Sequence, residues 1–183
     1  MNKFVIIISF FFLLIALNGC TTVYKTVVDE RNVKTIASDT KIKGKILAKF
    51  IDDDTIKTLD ISASCYEGCV YLIGEYDTIE QKERAIEIAK NIERVKSLTT
   101  YLVPKNENSP CGTKENLEIT AKVKAKLIGD KNIWSTNVDV KTIQCVVVLW
   151  GLVGSDQEVQ KSIEHAKEVE GVRNVKSFLK VAK

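Results

Sequence analysis

The fold is decided by "GCVYLIGEYDTIEQKERAIEIAKNIERVKSLTTYL" (68–102) written above "CVVVLWGLVGSDQEVQKSIEHAKEVEGVRNVKSFL" (145–179). Gly74 falls on Gly151, an offset of 77 positions, and at that offset Val70 meets Val147 and Leu72 meets Leu149. Ile86-Glu87 meets Ile163-Glu164, Ala89-Lys90 meets Ala166-Lys167, Val95 meets Val172 and Leu102 meets Leu179. Backwards, Ile42, Lys45, Ala48, Lys49, Ile51, Asp53 and Ile56 coincide with Ile119, Lys122, Ala125, Lys126, Ile128, Asp130 and Ile133. A gapless register over about sixty positions is an internal duplication, the signature to seek before any fold is assigned.

Each copy reads as helix, strand, strand, helix, strand. Ile42, Ile46 and Phe50 recur at helical spacing, as do Ile119, Val123 and Leu127. "LDISAS" (59–64) and "VDVKT" (138–142) alternate apolar and polar residues, as half-buried strands do. Glu67-Gly68 predicts a tight hairpin turn, with glycine free to take positive φ. Thr78-x-x-Gln81 and Ser155-x-x-Glu158 predict capping boxes at the next helices, and last strands are expected at 96–103 and 175–181. This is an α+β class: two tandem αββαβ modules, each a small mixed three-stranded sheet with two helices on one face. Between them, "VPKNENSPCGTKEN" (103–116) holds both prolines of the chain and reads as a loop.

The N-terminus sets the compartment. Lys3 precedes an apolar run from Phe4 to Leu17, relieved only by Ser9. That run falls short of the roughly 20 residues of a spanning helix and fits the core of a secretory signal peptide. Leu17-Asn18-Gly19-Cys20 resembles the bacterial lipobox, in which the cysteine becomes the first mature residue and carries diacylglycerol and a further acyl chain such as palmitate. Thr21 and Thr22 follow, with no aspartate after Cys20, which by resemblance to enteric sorting implies the outer membrane, facing the periplasm. The expected divisions are a signal peptide at 1–19, a tether and lead-in at 20–38, a first module at 39–103, a linker at 104–115 and a second module at 116–183.

A formal net charge of +3 with 28% charged residues lacks the strongly basic character of a nucleic-acid binder. Cys65, Cys69, Cys111 and Cys145 remain beyond Cys20; an oxidising compartment permits disulfides, and four cysteines allow three connectivities. A two-residue turn at Glu67-Gly68 sends Cys65 and Cys69 to opposite faces, so a bond between them needs a wider turn; Cys111 in the linker is within reach of Cys145 in the second hairpin, and that bond is favoured among the connectivities left open. Cys65-x-x-x-Cys69 without a nearby histidine does not match zinc spacing, and Asp52-Asp53-Asp54 lacks the EF-hand ligand spacing.

The modules resemble the BON domain. The residues that carry the resemblance are Gly68-x-Val70-x-Leu72-x-Gly74 with Ala89 and Val95, and Val147-x-Leu149-x-Gly151 with Ala166 and Val172. Asp29-x-Arg31-x-Val33-x-Thr35-x-x-x-Asp39 is similar to the lead-in of dual-BON outer-membrane lipoproteins. Two positions depart from the pattern. Cys145 stands where the hairpin glycine belongs, which predicts a wider or differently shaped second turn. Glu118 stands where some relatives carry an aromatic implicated in lipid contact. The resemblance implies binding of anionic phospholipid and support of the outer-membrane barrier; a protein-interaction adaptor for an envelope assembly or secretion system is the alternative.

No catalytic constellation is expected. His165, the single histidine, aligns with Ile88 and has no privileged nucleophile to serve. The glycines form no phosphate-cradling loop, and no cofactor or metal is implied. For lipid, Lys122 and Lys126 share a stripe of the second module's first helix, with Lys124 on a neighbouring face. Near an anionic surface each lysine contributes on the order of 1 kcal/mol; a solvated face is the plainer reading. Trp134, just past this helix, reads equally as a headgroup-level residue or as core. By alternation Tyr71, Ile73, Tyr101, Val148, Trp150 and Phe178 point away from the helices. An apolar outer face calls for a partner, so the two sheets are expected to pack on each other, against scattered surface hydrophobes as the alternative. None of these motifs specifies an oligomeric state.

Overall fold

The computed structural model describes residues 32–56 and 60–182. The signal peptide, Cys20 and the lead-in up to Arg31 lie outside the described residues. Two modules follow each other: α1 (Val33–Ile51), β1 (Ile61–Tyr66), β2 (Cys69–Tyr76), α2 (Ile79–Lys90) and β3 (Ser97–Pro104), then α3 (Thr113–Gly129), β4 (Val138–Ile143), β5 (Val146–Val153), α4 (Asp156–Lys167) and β6 (Asn174–Val181). Each sheet is ordered β1-β2-β3 or β4-β5-β6, antiparallel across the hairpin and parallel across the helical crossover.

Two boundaries differ from the sequence reading. Residues 33–38 of the lead-in belong to α1, because Asn32 caps it by accepting the Lys34 N–H at 2.9 Å. The linker's residues 113–115 are the first turn of α3, where Glu115 accepts the Gly112 N–H at 2.9 Å. The expected capping boxes form only halfway. Thr78 and Ser155 cap α2 and α4, but Gln81 reaches the Asp77 N–H and Glu158 the Trp134 N–H.

Each module buries its own core between sheet and helices. Ile42, Ile46, Phe50, Val70 and Leu72 meet Ala85 and Ala89 in the first; Ile119, Val123, Leu127, Val147 and Leu149 meet Ala166 in the second. The repeated glycine has a steric cause. A Cβ at Gly74 would collide with the Asp60 carbonyl oxygen, and one at Gly151 with that of Asn137. The chain entering each first strand crosses the middle strand too closely for any side chain.

The second hairpin corrects an expectation. It is not wider: Ile143 pairs with Val146 as Tyr66 pairs with Cys69. Gln144 and Cys145 take φ of 51° and 63°, close to Glu67 at 53° and Gly68 at 80°. A left-handed conformation costs a residue with a Cβ roughly 1 kcal/mol, and contacts distant in sequence hold it there. Cys145 is bonded to Cys111, donates its N–H to Asn116 Oδ1 at 3.1 Å, and accepts from the Arg173 N–H at 2.9 Å. The first hairpin uses the repeat-equivalent of Asn116. Asp39 is buried and accepts the N–H groups of Glu67 and Gly68, both at 2.8 Å.

Candidate functional site

The outer sheet faces meet. Tyr71, Ile73, Val148 and Trp150 form one cluster with Tyr66, Ile143 and Leu152, and Tyr101 and Phe178 pack against it. Tyr101 and Phe178 occupy equivalent repeat positions and touch at 6.4 Å between ring centroids. Polar contacts close the edge: Ser64 and Tyr66 donate to Asp139 at 3.1 and 2.8 Å, and Lys141 donates to Ser62 at 3.0 Å. Residue 62 meets 141 and residue 64 meets 139, as an approximate twofold between the copies requires. The molecule is layered helices, sheet, sheet, helices, which leaves the outward helix faces open to solvent.

Those faces differ between the copies. In α3 the buried stripe is Ile119, Val123 and Leu127. Opposite it, Leu117, Ala121, Ala125 and Ile128 fall on one solvent-facing ridge at helical spacing. Leu117 is 65% and Ile128 72% exposed, and Lys114 and Lys124 lie along the same ridge. The equivalent ridge of α1 is Thr40, Gly44, Ala48 and Ile51. Ile51 is equally exposed at 72%, but Asp52, Asp53 and Asp54 follow it directly.

The lysines named from sequence separate. Lys122 is paired with Glu118 at 2.7 Å and Lys126 with Glu168 at 2.7 Å; both carboxyl groups are held below their ordinary pKa, first by those lysine hydrogen bonds. Lys124 stays on the exposed ridge. Trp134 is half-buried, its ring lying close to Gly154. Sequence reasoning missed Leu117 and Ile128. Their signal was present, two large apolar residues eleven apart opposite the core stripe.

Several other titratable groups make ties within the fold. His165 Nε2 lies 3.0 Å from Asp130 Oδ2, and that bond holds the Asp130 carboxyl well below the usual carboxylate range. Asp53, the repeat-equivalent of Asp130, is tied instead to Arg84 at 2.6 Å, whose own equivalent Lys161 lies 4.0 Å from Asp130. Cys65 and Cys69 are free thiols; burial, with Asp39 beside it, pushes the Cys65 thiol up to about 12. Among the described residues no cluster of three metal-ligating side chains exists, and no helix is long and apolar enough to cross a membrane.

Duplicated αββαβ units with a glycine forced by the strand crossing define a class of small tandem α+β modules. Residues 38–103 and 116–183 both match the family model of the BON domain, and the chain belongs to that family. It is 35% identical over 144 residues to Osmotically-inducible protein Y of Escherichia coli (strain K12), covering 78% of this chain and 72% of that one. It is 26% identical over 160 residues to Outer membrane lipoprotein DolP of Haemophilus influenzae, covering 87% and 82%. The C-terminal domain of CdsD, a structural protein of the Type III secretion system of Chlamydia trachomatis, superposes at a TM-score of 0.32 with 15% identity over 79% of this chain and 67% of that one, too weak a likeness to bear on function. These relationships make the chain a dual-BON protein.

Proposed function

We propose that the protein is a lipid-anchored component of the outer membrane that docks α3 on anionic phospholipid at the periplasmic leaflet and so supports envelope integrity. Cleavage before Cys20 and acylation of its thiol and amine supply the tether. The observation that carries the docking is the exposed α3 ridge, Leu117, Ala121, Ala125 and Ile128 with Lys114 and Lys124 alongside. An apolar ridge flanked by lysines lies in the plane of a bilayer interface.

Magnitudes assign the parts. Partial burial of two large aliphatic side chains gives about 3 kcal/mol, and two lysines near anionic lipid add about 1 kcal/mol each. About 5 kcal/mol corresponds to sub-millimolar affinity, too weak to hold a protein alone. The anchor provides residence; the ridge provides orientation and headgroup preference. Flotation of unlipidated residues 21–183 with phosphatidylglycerol vesicles and with phosphatidylcholine vesicles tests this. Binding to the first only, lost in Leu117→Gln/Ile128→Gln, supports the reading. Equal, negligible binding to both, with stoichiometric co-purification of one protein, rejects it in favour of an adaptor.

A further inference from the structure

Where the modules meet, β1, β4, α1 and α3 leave a cleft of about 520 Å³, within the roughly 300–1,000 Å³ of small-molecule sites. Charges of both signs line it, three carboxylates and three ammonium groups. Asp60 is paired with Lys105 at 2.7 Å. Glu75 accepts from Gln144 at 2.9 Å, and Asp139 from the Tyr66 hydroxyl at 2.8 Å. Two of the three ammonium groups lack any such partner. Lys43 of α1 and Lys124 of α3 line the cleft with no carboxylate in ion-pair range among the described residues. Lys141 donates only to neutral oxygens, the Asp60 carbonyl at 3.1 Å and the Ser62 hydroxyl at 3.0 Å.

A second observation is independent of charge. Trp150 lines the same cleft, is 4% exposed, and its indole N–H is buried with no acceptor. A buried donor left unpaired costs about 1–3 kcal/mol, so natural structures seldom keep one without a use. Burial holds the Lys141 ammonium below its ordinary pKa, with Glu75 and Asp60 opposing; an incoming anion would relieve that. Three lysines from three elements and an orphaned N–H call for a ligand rich in acceptors and negative charge.

We infer that this cleft receives the phosphate group of a glycerophospholipid, a reading that rests on the membrane docking proposed above for the source of the phosphate. Leu117 and Lys124 belong both to the cleft wall and to the α3 ridge. A lipid beside the ridge therefore has its headgroup at the cleft mouth while its chains stay in the bilayer. A free anion would use the lysines and the N–H but gain nothing from Leu117.

The chain has two tryptophans, so indole ¹⁵N NMR of the full-length protein in non-ionic micelles gives one signal at the cleft and one reference, Trp134. Titration with dihexanoyl phosphatidylglycerol is expected to shift the Trp150 signal and leave Trp134 in place. Lys43→Gln is expected to weaken this binding about tenfold, the loss of one charge-assisted hydrogen bond. Trp150→Phe removes the donor and keeps the apolar wall, so it should bind more weakly while folding as stably as the parent. Inorganic phosphate shifting Trp150 at equal or lower concentration than the lipid would overturn the lipid assignment. A still Trp150 signal, or Lys43→Gln and Trp150→Phe binding as the parent does, would overturn the cleft altogether. Vesicle flotation distinguishes the two proposals: flotation that fails in the ridge variants but survives Lys43→Gln and Trp150→Phe leaves docking intact and removes the cleft.

Discussion

Truncating Asp39 should unfasten the first hairpin. Its carboxylate accepts two backbone N–H groups at 2.8 Å, from Glu67 and Gly68, and the Cys65 thiol at 3.3 Å. A hydrogen bond to a charged group contributes about 1.5–3 kcal/mol. Gly68 is buried and Glu67 is half-buried, so water can replace only part of what Asp39→Ala removes, leaving a loss of about 3 kcal/mol. At about 2–4 °C per kcal/mol for a chain of this size, the melting midpoint falls by about 6–12 °C. The second module supplies the control. Asn116 holds the equivalent place and accepts one N–H, from Cys145 at 3.1 Å, so Asp39→Asn should keep one bond and lose about half as much. Urea unfolding followed by circular dichroism gives the totals, and hydrogen exchange at Glu67 and Gly68 gives the location. A loss under about 1 kcal/mol for Asp39→Ala, or equal losses for alanine and asparagine, would refute the reasoning.

Three further outcomes follow from the same contacts. Removing the Cys111–Cys145 bond, which closes a separation of 34 residues, should cost about 4 kcal/mol by loop entropy. In that Cys111→Ala background Cys145→Gly should restore about 1 kcal/mol by relieving the left-handed turn, as read by urea midpoints. With its thiol near 12, Cys65 is ionised to only about one part in ten thousand at pH 8; iodoacetamide should therefore modify the half-buried Cys69 and spare Cys65, as peptide mass mapping would show. Asp130, held low by His165, binds its proton more readily unfolded than folded. Its stabilisation is present above its ordinary value near pH 4 and lost as pH falls through the lower folded value. Asp130→Asn should flatten that acid limb in urea midpoints taken from pH 6 down to pH 2.

Much of the fold was legible because its constraints are local and repeated. Gly74 and Gly151 recur since strand crossing forbids a Cβ at both, and the Ile42 and Ile119 stripes recur since both helices bury one face. What failed to show was held by contacts distant in sequence. Cys145 looked like a broken hairpin, and only Asn116 and Cys111, 29 and 34 residues away, explain how it turns as Gly68 does. Lys122 and Lys126 looked like a cationic stripe. The Glu118 partner of Lys122 stood four residues away and was readable as a helix pair; Glu168, 42 residues from Lys126, was not. The apolar ridge of α3 was written in Leu117 and Ile128, but lysine spacing drew attention from it. The cleft gathers Lys43, Lys124 and Lys141 only once the sheets stack.

The repeat itself offers the most direct trial of membrane docking through α3. Ile51 and Ile128 are equivalent and equally exposed, so nitroxides placed at each, in a Cys69→Ser background, differ only in what their helices meet. Power-saturation measurements on the lipidated protein in phosphatidylglycerol-containing bilayers are predicted to show the label at 128 accessible to oxygen and shielded from a water-soluble nickel chelate, with the label at 51 the reverse. Equal exposure of both labels to the chelate would contradict the account.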